Sequence, residues 1–379
     1  TQQMEAVRLF HTSIPAYRPT PLASLKNLAN YLGVGGIYVK DEAHRFGLNS
    51  FRARGSSYAM ARLLAERLGE DMSAMTFSRL SSPETKERLG ELTFVTATDG
   101  NHGRAVAWTA RQLGQRAVVY MPQGTSPDRL ANIQGEGAEV HIIDGNYDDA
   151  VRLAAAKARE YGWVVVQDTA WPGYEDIPRW IMQGYTTMAA EALNQLQEQG
   201  IPKPTHVFVQ AGVGAMAAAV QGYFAARFRE GRPRTLVLEP KDAACFMRSG
   251  QADDGERRCI SGNFTTIMVG LACGEPSPQA WRILRDYSEI FAACPDWVAA
   301  RGMRILGNPL AGDPRVVSGE SGAATLGFLS VIAQDPALAP LRKTLGLGPA
   351  SQVLLFSTEG DTAPTKYRRI VWDGEYPKP

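Results

Sequence analysis

Cysteine is scarce in this chain. The four present in 379 residues (Cys245, Cys259, Cys273 and Cys294) show no C-x-x-C spacing and are too few for a disulfide framework. Reduced thiols in a cytoplasmic chain are therefore expected. An excess of charge is missing as well. Forty Lys and Arg against 39 Asp and Glu leave a net charge of +1, which gives no electrostatic reason to expect a nucleic acid or an anionic membrane as partner. The opening TQQMEAVRLF has no basic start followed by an apolar run, so no signal peptide is expected. Long apolar stretches are also rare. Residues 205–226 lack Asp, Glu, Lys and Arg, but they hold His206, Gln210, Gln221 and three glycines. That composition reads as a buried strand, a glycine turn and an Ala-rich helix, not a membrane span. No metal-binding pattern stands out.

What is present is an ordinary globular composition, 44% hydrophobic and 21% charged, long enough for one large or two linked domains. Short apolar runs alternate with helical stretches. Strands are expected at 37–40, 93–97, 117–121, 139–143, 163–166, 206–210, 235–239 and 353–356. Helices are expected at 51–68, 103–113, 147–161, 177–199 and 215–228. Alternation of this kind predicts an α/β fold with parallel strands and helices on both faces. The strands show no period of two, as strands buried on both faces should not. In such sheets ligands bind beyond the carboxyl ends of strands. Residues 70–92 and 241–276 interrupt the pattern as an insertion and an excursion.

Three loops after strands could carry chemistry. AGVGAMA (Ala211–Ala217) opens a helix with glycines that let the backbone approach an anion. The spacing also fits a dinucleotide fingerprint, with Glu239 ending the next strand as a ribose-binding acid would, and it fits a plain tight turn. TDGNHG (Thr98–Gly103) offers the backbone amides of Gly100, Asn101 and His102 to a carboxylate, Asp99 as a general acid or base and Asn101 for a ring oxygen. It reads equally as an Asp-Gly turn with Asn101 as helix N-cap. STEGDT (Ser357–Thr362) places two hydroxyls at a strand end.

Taken with AYRPTPL, VKDE, RFGLN, NYDD, VVQDTAW, GLACGEP, LGNP and SGESGA, all in order, these loops make the chain resemble the fold-type II family of pyridoxal 5'-phosphate (PLP) enzymes, which includes threonine dehydratase and the tryptophan synthase β subunit. Within it the chain is most similar to ammonia-lyases that act on 2,3-diaminopropionate. The resemblance implies two doubly wound α/β domains with the cofactor cleft between them: a large PLP-binding domain from 1–83 and 179–379, and a small domain from 84–178. It implies α,β-elimination of 2,3-diaminopropionate, or a related amino acid, to pyruvate and ammonia, in a homodimer. It assigns the PLP phosphate to Gly212, Val213, Gly214 and Ala215, the 3'-oxygen of the ring to Asn101, and the pyridine nitrogen to Ser357 or Thr358. Ser50, Thr98 and Gly100 would contact the substrate carboxylate, Asp168 would help seat the substrate, and Asp99 would act on the D isomer. Cys245 and Cys273 fall where the ammonia-lyase can carry a disulfide.

One departure stands out. The family's Schiff-base lysine follows Ser-Phe or Ala-Phe; here the triplet is Ser50-Phe51-Arg52. With a pKa near 12.5 or above, about one guanidinium in a million is neutral at pH 7, so Arg52 keeps charge and position but not nucleophilicity. Lys40, at a strand end, offers no obvious substitute. The open alternatives are a lyase whose substrate meets PLP held non-covalently, with Asp99 as base; a different reaction with Arg52 as an anion clamp; a catalytically inactive or repurposed relative that binds an amino-acid-like ligand; and a lysine-to-arginine change made to trap substrate.

Overall fold

The computed structural model describes residues 2–98, 100–252 and 254–379. The chain divides into two compact units, Thr1–Arg18 with Arg45–Thr187, and Pro19–His44 with Met188–Pro379. The four-stranded sheet of the first unit lies within 84–178, while the unit itself also takes in 1–18, 45–83 and 179–187.

In the first unit, β3 (Thr93–Ala97), β4 (Arg116–Pro122), β5 (Glu139–Ile143) and β6 (Val164–Val165) form a parallel sheet in the order β5-β4-β3-β6. The chain runs outward from β3 to β5, then returns to the other side of β3. The order therefore reverses between β3 and β6, which is where a doubly wound sheet opens a crevice at its carboxyl ends. The helix Tyr147–Tyr161 shows how sequence fixes one crossover. Asn146 and Asp149 close a reciprocal capping box at 3.0 Å in each direction, and Ala150, Ala154 and Ala158, four residues apart, bury their small faces against Val95, Val118 and Tyr120. One strand departs from expectation: β5 is an edge strand with Glu139, His141 and Ile142 exposed, so it is not buried on both faces.

In the second unit, β1 (Leu22–Ser24), β2 (Gly36–Asp41), β7 (His206–Gln210), β8 (Arg234–Pro240), β9 (Ile290–Cys294) and β10 (Gln352–Ser357) form a sheet in the order β1-β2-β10-β7-β8-β9. All neighbours are parallel except β1, which runs antiparallel to β2. β7 and β2 are buried along their whole length, and burying Val207, Phe208 and Val209 contributes about 1.5–3 kcal/mol each. After β7 the chain moves outward through β8 to β9 and comes back as β10 between β2 and β7. The reversal thus falls between β7 and β10. The span 205–226 is a strand, a glycine turn and the helix Ala215–Phe228, as its composition implied. No single helix among the described residues is long and apolar enough to cross a membrane.

Candidate functional site

In the second unit the two loops at the reversal belong to β7 and β10. β7 leads into Ala211–Gly214, and Gly214, at φ +90°, caps the helix Ala215–Phe228. The left-handed turn favours glycine, and a Cβ there would lie 2.3 Å from Phe246 Cζ. At Gly212 a Cβ would lie 3.0 Å from the Gly270 carbonyl and 3.3 Å from Cys273 Sγ. Both positions are fixed by close approach of neighbours, which leaves bare backbone at the mouth of a 14-residue helix. The amides of its first turn have no partner within the helix, and the dipole adds positive potential there. Backbone arranged in this way can receive an anion.

Next to it, β10 ends at Ser357, fully buried, whose Oγ donates to Ser318 Oγ at 2.8 Å. Across the ladder from Ser357 sits Asp41, whose carboxyl is pushed up by burial. Thr358 Oγ1 accepts from Gln210 Nε2 at 3.0 Å, and the same Nε2 donates to the Phe356 carbonyl at 3.0 Å. Gln210 thus ties the end of β7 to the end of β10, and sequence reasoning missed it.

In the first unit the loops at the reversal follow β3 and β6. Thr98 Oγ1 accepts the N–H groups of Gly100 at 2.9 Å and Gly103 at 3.0 Å. Asn101 is the first residue of the helix Asn101–Gln112 and Gly100 is its cap, so of the two readings of this loop the Asn101 N-cap does not form: Thr98 reaches forward and supplies the capping oxygen. Asp99 lies outside the described residues. After β6 comes Asp168, buried, whose Oδ2 accepts from Nη1 of Arg52. Burial pushes the Asp168 carboxyl up, but the Arg52 guanidinium and then His102 outweigh it and hold the group below the usual carboxylate range. The His102 ring donates from Nε2 to the Val166 carbonyl at 2.9 Å. Arg52 itself starts the helix Ala53–Leu68, with its amide 3.4 Å from Ser50 Oγ and its guanidinium 5.0 Å from the Phe51 ring centre. Ser50, Arg52, Thr98, Asn101 and Asp168 are therefore all carried by loops or helix starts of one unit.

The pyridoxal-phosphate dependent enzyme family matches residues 14–344. The chain belongs to that family. It is similar to the diaminopropionate ammonia-lyase of Salmonella typhimurium, 50% identical over 369 residues that cover 97% of this chain and 91% of that one. The Escherichia coli K12 diaminopropionate ammonia-lyase is also 50% identical, over 99% of this chain and 92% of its own. The crystal structure of holo diaminopropionate ammonia lyase from Escherichia coli superimposes with a TM-score of 0.94 at 48% identity, covering 100% of this chain and 94% of that one.

In this PLP enzyme the cradle at Gly212–Ala215 suits the cofactor's phosphate, and the buried hydroxyl of Ser357, in a strand-end setting, suits a neutral ring nitrogen. The residues fit the group. Lys40 is fully buried, its Nζ 2.7 Å from the Thr20 carbonyl, 2.7 Å from Gln195 Oε1 and 2.9 Å from Glu191 Oε2. Its three protons meet three acceptors, so it offers no amine in place of Arg52. Among the described residues no disulfide joins Cys245 to Cys273; Cys245 Sγ instead donates to the Cys273 carbonyl at 3.5 Å, and burial pushes its thiol up.

Proposed function

We propose that this chain is a PLP-dependent ammonia-lyase that converts 2,3-diaminopropionate and water to pyruvate and two ammonia. The observation that carries the reading is half-identity to diaminopropionate ammonia-lyases along nearly the whole chain, supported by a glycine turn at a helix start that suits a phosphate. When bound, PLP supplies the electron sink that acidifies the Cα–H of an amino acid.

The chain's own residues do the rest. Backbone amides of Gly212, Val213, Gly214 and Ala215 would hold the phosphate, Ser357 or Thr358 would meet the pyridine nitrogen, and Asn101 would bond the 3'-oxygen. Ser50 and the loop 98–101 would orient the substrate carboxylate, so that the Cα–H and the Cβ–N bond are presented for breaking. Asp168 stays ionised beside Arg52, which makes it an acceptor for the substrate's ammonium and not an acid at neutral pH. Asp99 is assigned to the proton at Cα of the D isomer. Arg52 can bind and orient but can neither attack nor take a proton, because a guanidinium has donors only. Cofactor retention then rests on the cradle and not on a covalent bond to the chain. Homodimer assembly and a cytoplasmic location belong to the same proposal.

The test is pyruvate release from L- and D-2,3-diaminopropionate with added PLP, beside an Arg52→Lys variant. Turnover by the unmodified chain establishes a lyase that works without a lysine anchor. Silence from it with turnover in the variant means an intact lyase site limited at one side chain. Silence from both, in chains that bind PLP, overturns the assignment.

A further inference from the structure

Glu239, next to last in β8, is a fully buried acid. Its two carboxylate oxygens accept the backbone N–H groups of Phe246 and Met247, each at 2.8 Å. Those residues open the short helix Cys245–Gln251, whose own cap position, Ala244, supplies no side-chain bond. Glu239 therefore does from a neighbouring strand what an N-cap side chain does locally: it fills two orphan donors with one charged group. A sugar-binding acid needs its oxygens turned outward, and these are turned into the backbone, so the dinucleotide reading of Glu239 is set aside.

The cap has a consequence one residue along. Phe246, anchored through its amide, is fully buried, with its ring centre 6.2 Å from that of Trp281 and 6.4 Å from that of Phe291. The same ring fills the space beside Gly214, where a Cβ would lie 2.3 Å from Phe246 Cζ and 3.0 Å from Ala280 Cβ. Gly214 is the residue whose left-handed turn aims the first amides of the helix Ala215–Phe228. A second brace holds the loop from the GLACGEP side, where the Ser277 amide donates to the Val213 carbonyl at 2.9 Å. Two of the cradle's four residues are glycines, so its shape depends on what packs against them.

We propose that Glu239 is a positioning residue for the phosphate cradle: its carboxylate fixes Phe246, and the Phe246 ring fixes the Gly214 turn that aims the cradle's amides. The inference rests on the glycine loop being the phosphate site. It separates Glu239 from a merely structural acid by one property: its loss should be felt by a ligand's phosphate and not by the rest of the ligand.

The experiment measures binding of PLP and of pyridoxal, which lacks the phosphate, to the full chain by fluorescence titration. Burial pushes the Glu239 carboxyl up to about 7, against the pull of the Phe246 and Met247 amides and the Cys245 thiol, so the titrations are run at pH 8. In Glu239→Gln, PLP affinity should fall about tenfold while pyridoxal affinity changes less than about twofold, the size expected for losing one charge-assisted bond. Phe246→Leu, which keeps the cap and trims the ring, should show the same selective loss and replaces Glu239→Gln if that variant does not fold. An unchanged ratio of the two affinities, or an equal fall in both, overturns the inference. If the unmodified chain binds PLP no more tightly than pyridoxal, the cradle reading itself fails, and that is read from the unmodified chain alone.

Discussion

The guanidinium of Arg52 is paired with the carboxylate of Asp168, 116 positions later in the chain and on the loop after β6. The pair joins the position where this family carries its lysine to the residue expected to seat the substrate. It also determines the protonation of Asp168, because a buried carboxyl without a cation beside it would titrate above its usual range.

Removing the guanidinium should expose that dependence. Arg52→Met leaves the Asp168 charge buried without its cation, and a loss of about 3 kcal/mol is expected from breaking such a pair. The sign with pH follows from the direction of the shift. In the unmodified chain the folded Asp168 sits below its unfolded value, so its contribution is full above that value and is lost only as pH falls through the lower, folded one. In the variant burial raises the folded value, so the group favours folding as pH falls. Urea unfolding at pH 7 and at pH 4.5 should therefore show the gap between the two proteins narrowing with acid; a constant gap would mean that Asp168 does not depend on Arg52.

Restoring the amine should restore a covalent anchor. After borohydride reduction in the presence of PLP, Arg52→Lys is expected to carry one cofactor per chain by mass spectrometry, attached at position 52. The unmodified chain should carry none. Labelling of Lys40 in the unmodified chain would contradict its three-acceptor enclosure.

Lys40→Met makes the reciprocal case. It removes the buried ammonium that pairs with Glu191, and about 3 kcal/mol of stability should be lost in denaturant unfolding. In the Arg52→Lys background the same change should leave borohydride labelling at position 52 intact wherever the protein is folded.

Gly214→Ala tests the cradle directly. A Cβ at φ +90° meets the Phe246 ring, so strain of about 1–3 kcal/mol is expected, read as a lower melting temperature. PLP should protect the variant from heat less than it protects the unmodified chain. Equal protection would show that the turn is not where the phosphate binds.

Much of this was legible in the sequence because it is local. Thr93–Ala97, Glu139–Ile143 and His206–Gln210 are strands over the same residues that their apolar runs marked. The missed elements lack such signals. β1 is three residues that become a strand only by pairing with β2, and β9 is FAAC-rich, with little β-branched character. The site divides the same way. Motifs marked the glycine loop, Ser357 and the Thr98 loop, whereas Gln210, Ser318 and Asp41 gain their place from strand register and the packing of distant segments. The alternative of an Asn101 cap fails for a related reason: the helix begins one residue earlier than an Asx cap needs, so a threonine takes the capping task.

The cradle proposed for the phosphate is written in main chain. Its specification lies in two missing methyl groups, at Gly212 and Gly214, and in the neighbours that would collide with them. With the phosphate placed there as proposed, recognition of the cofactor and reactivity toward it are encoded in separate parts of the sequence, and the residue at position 52 can change without touching the address for PLP.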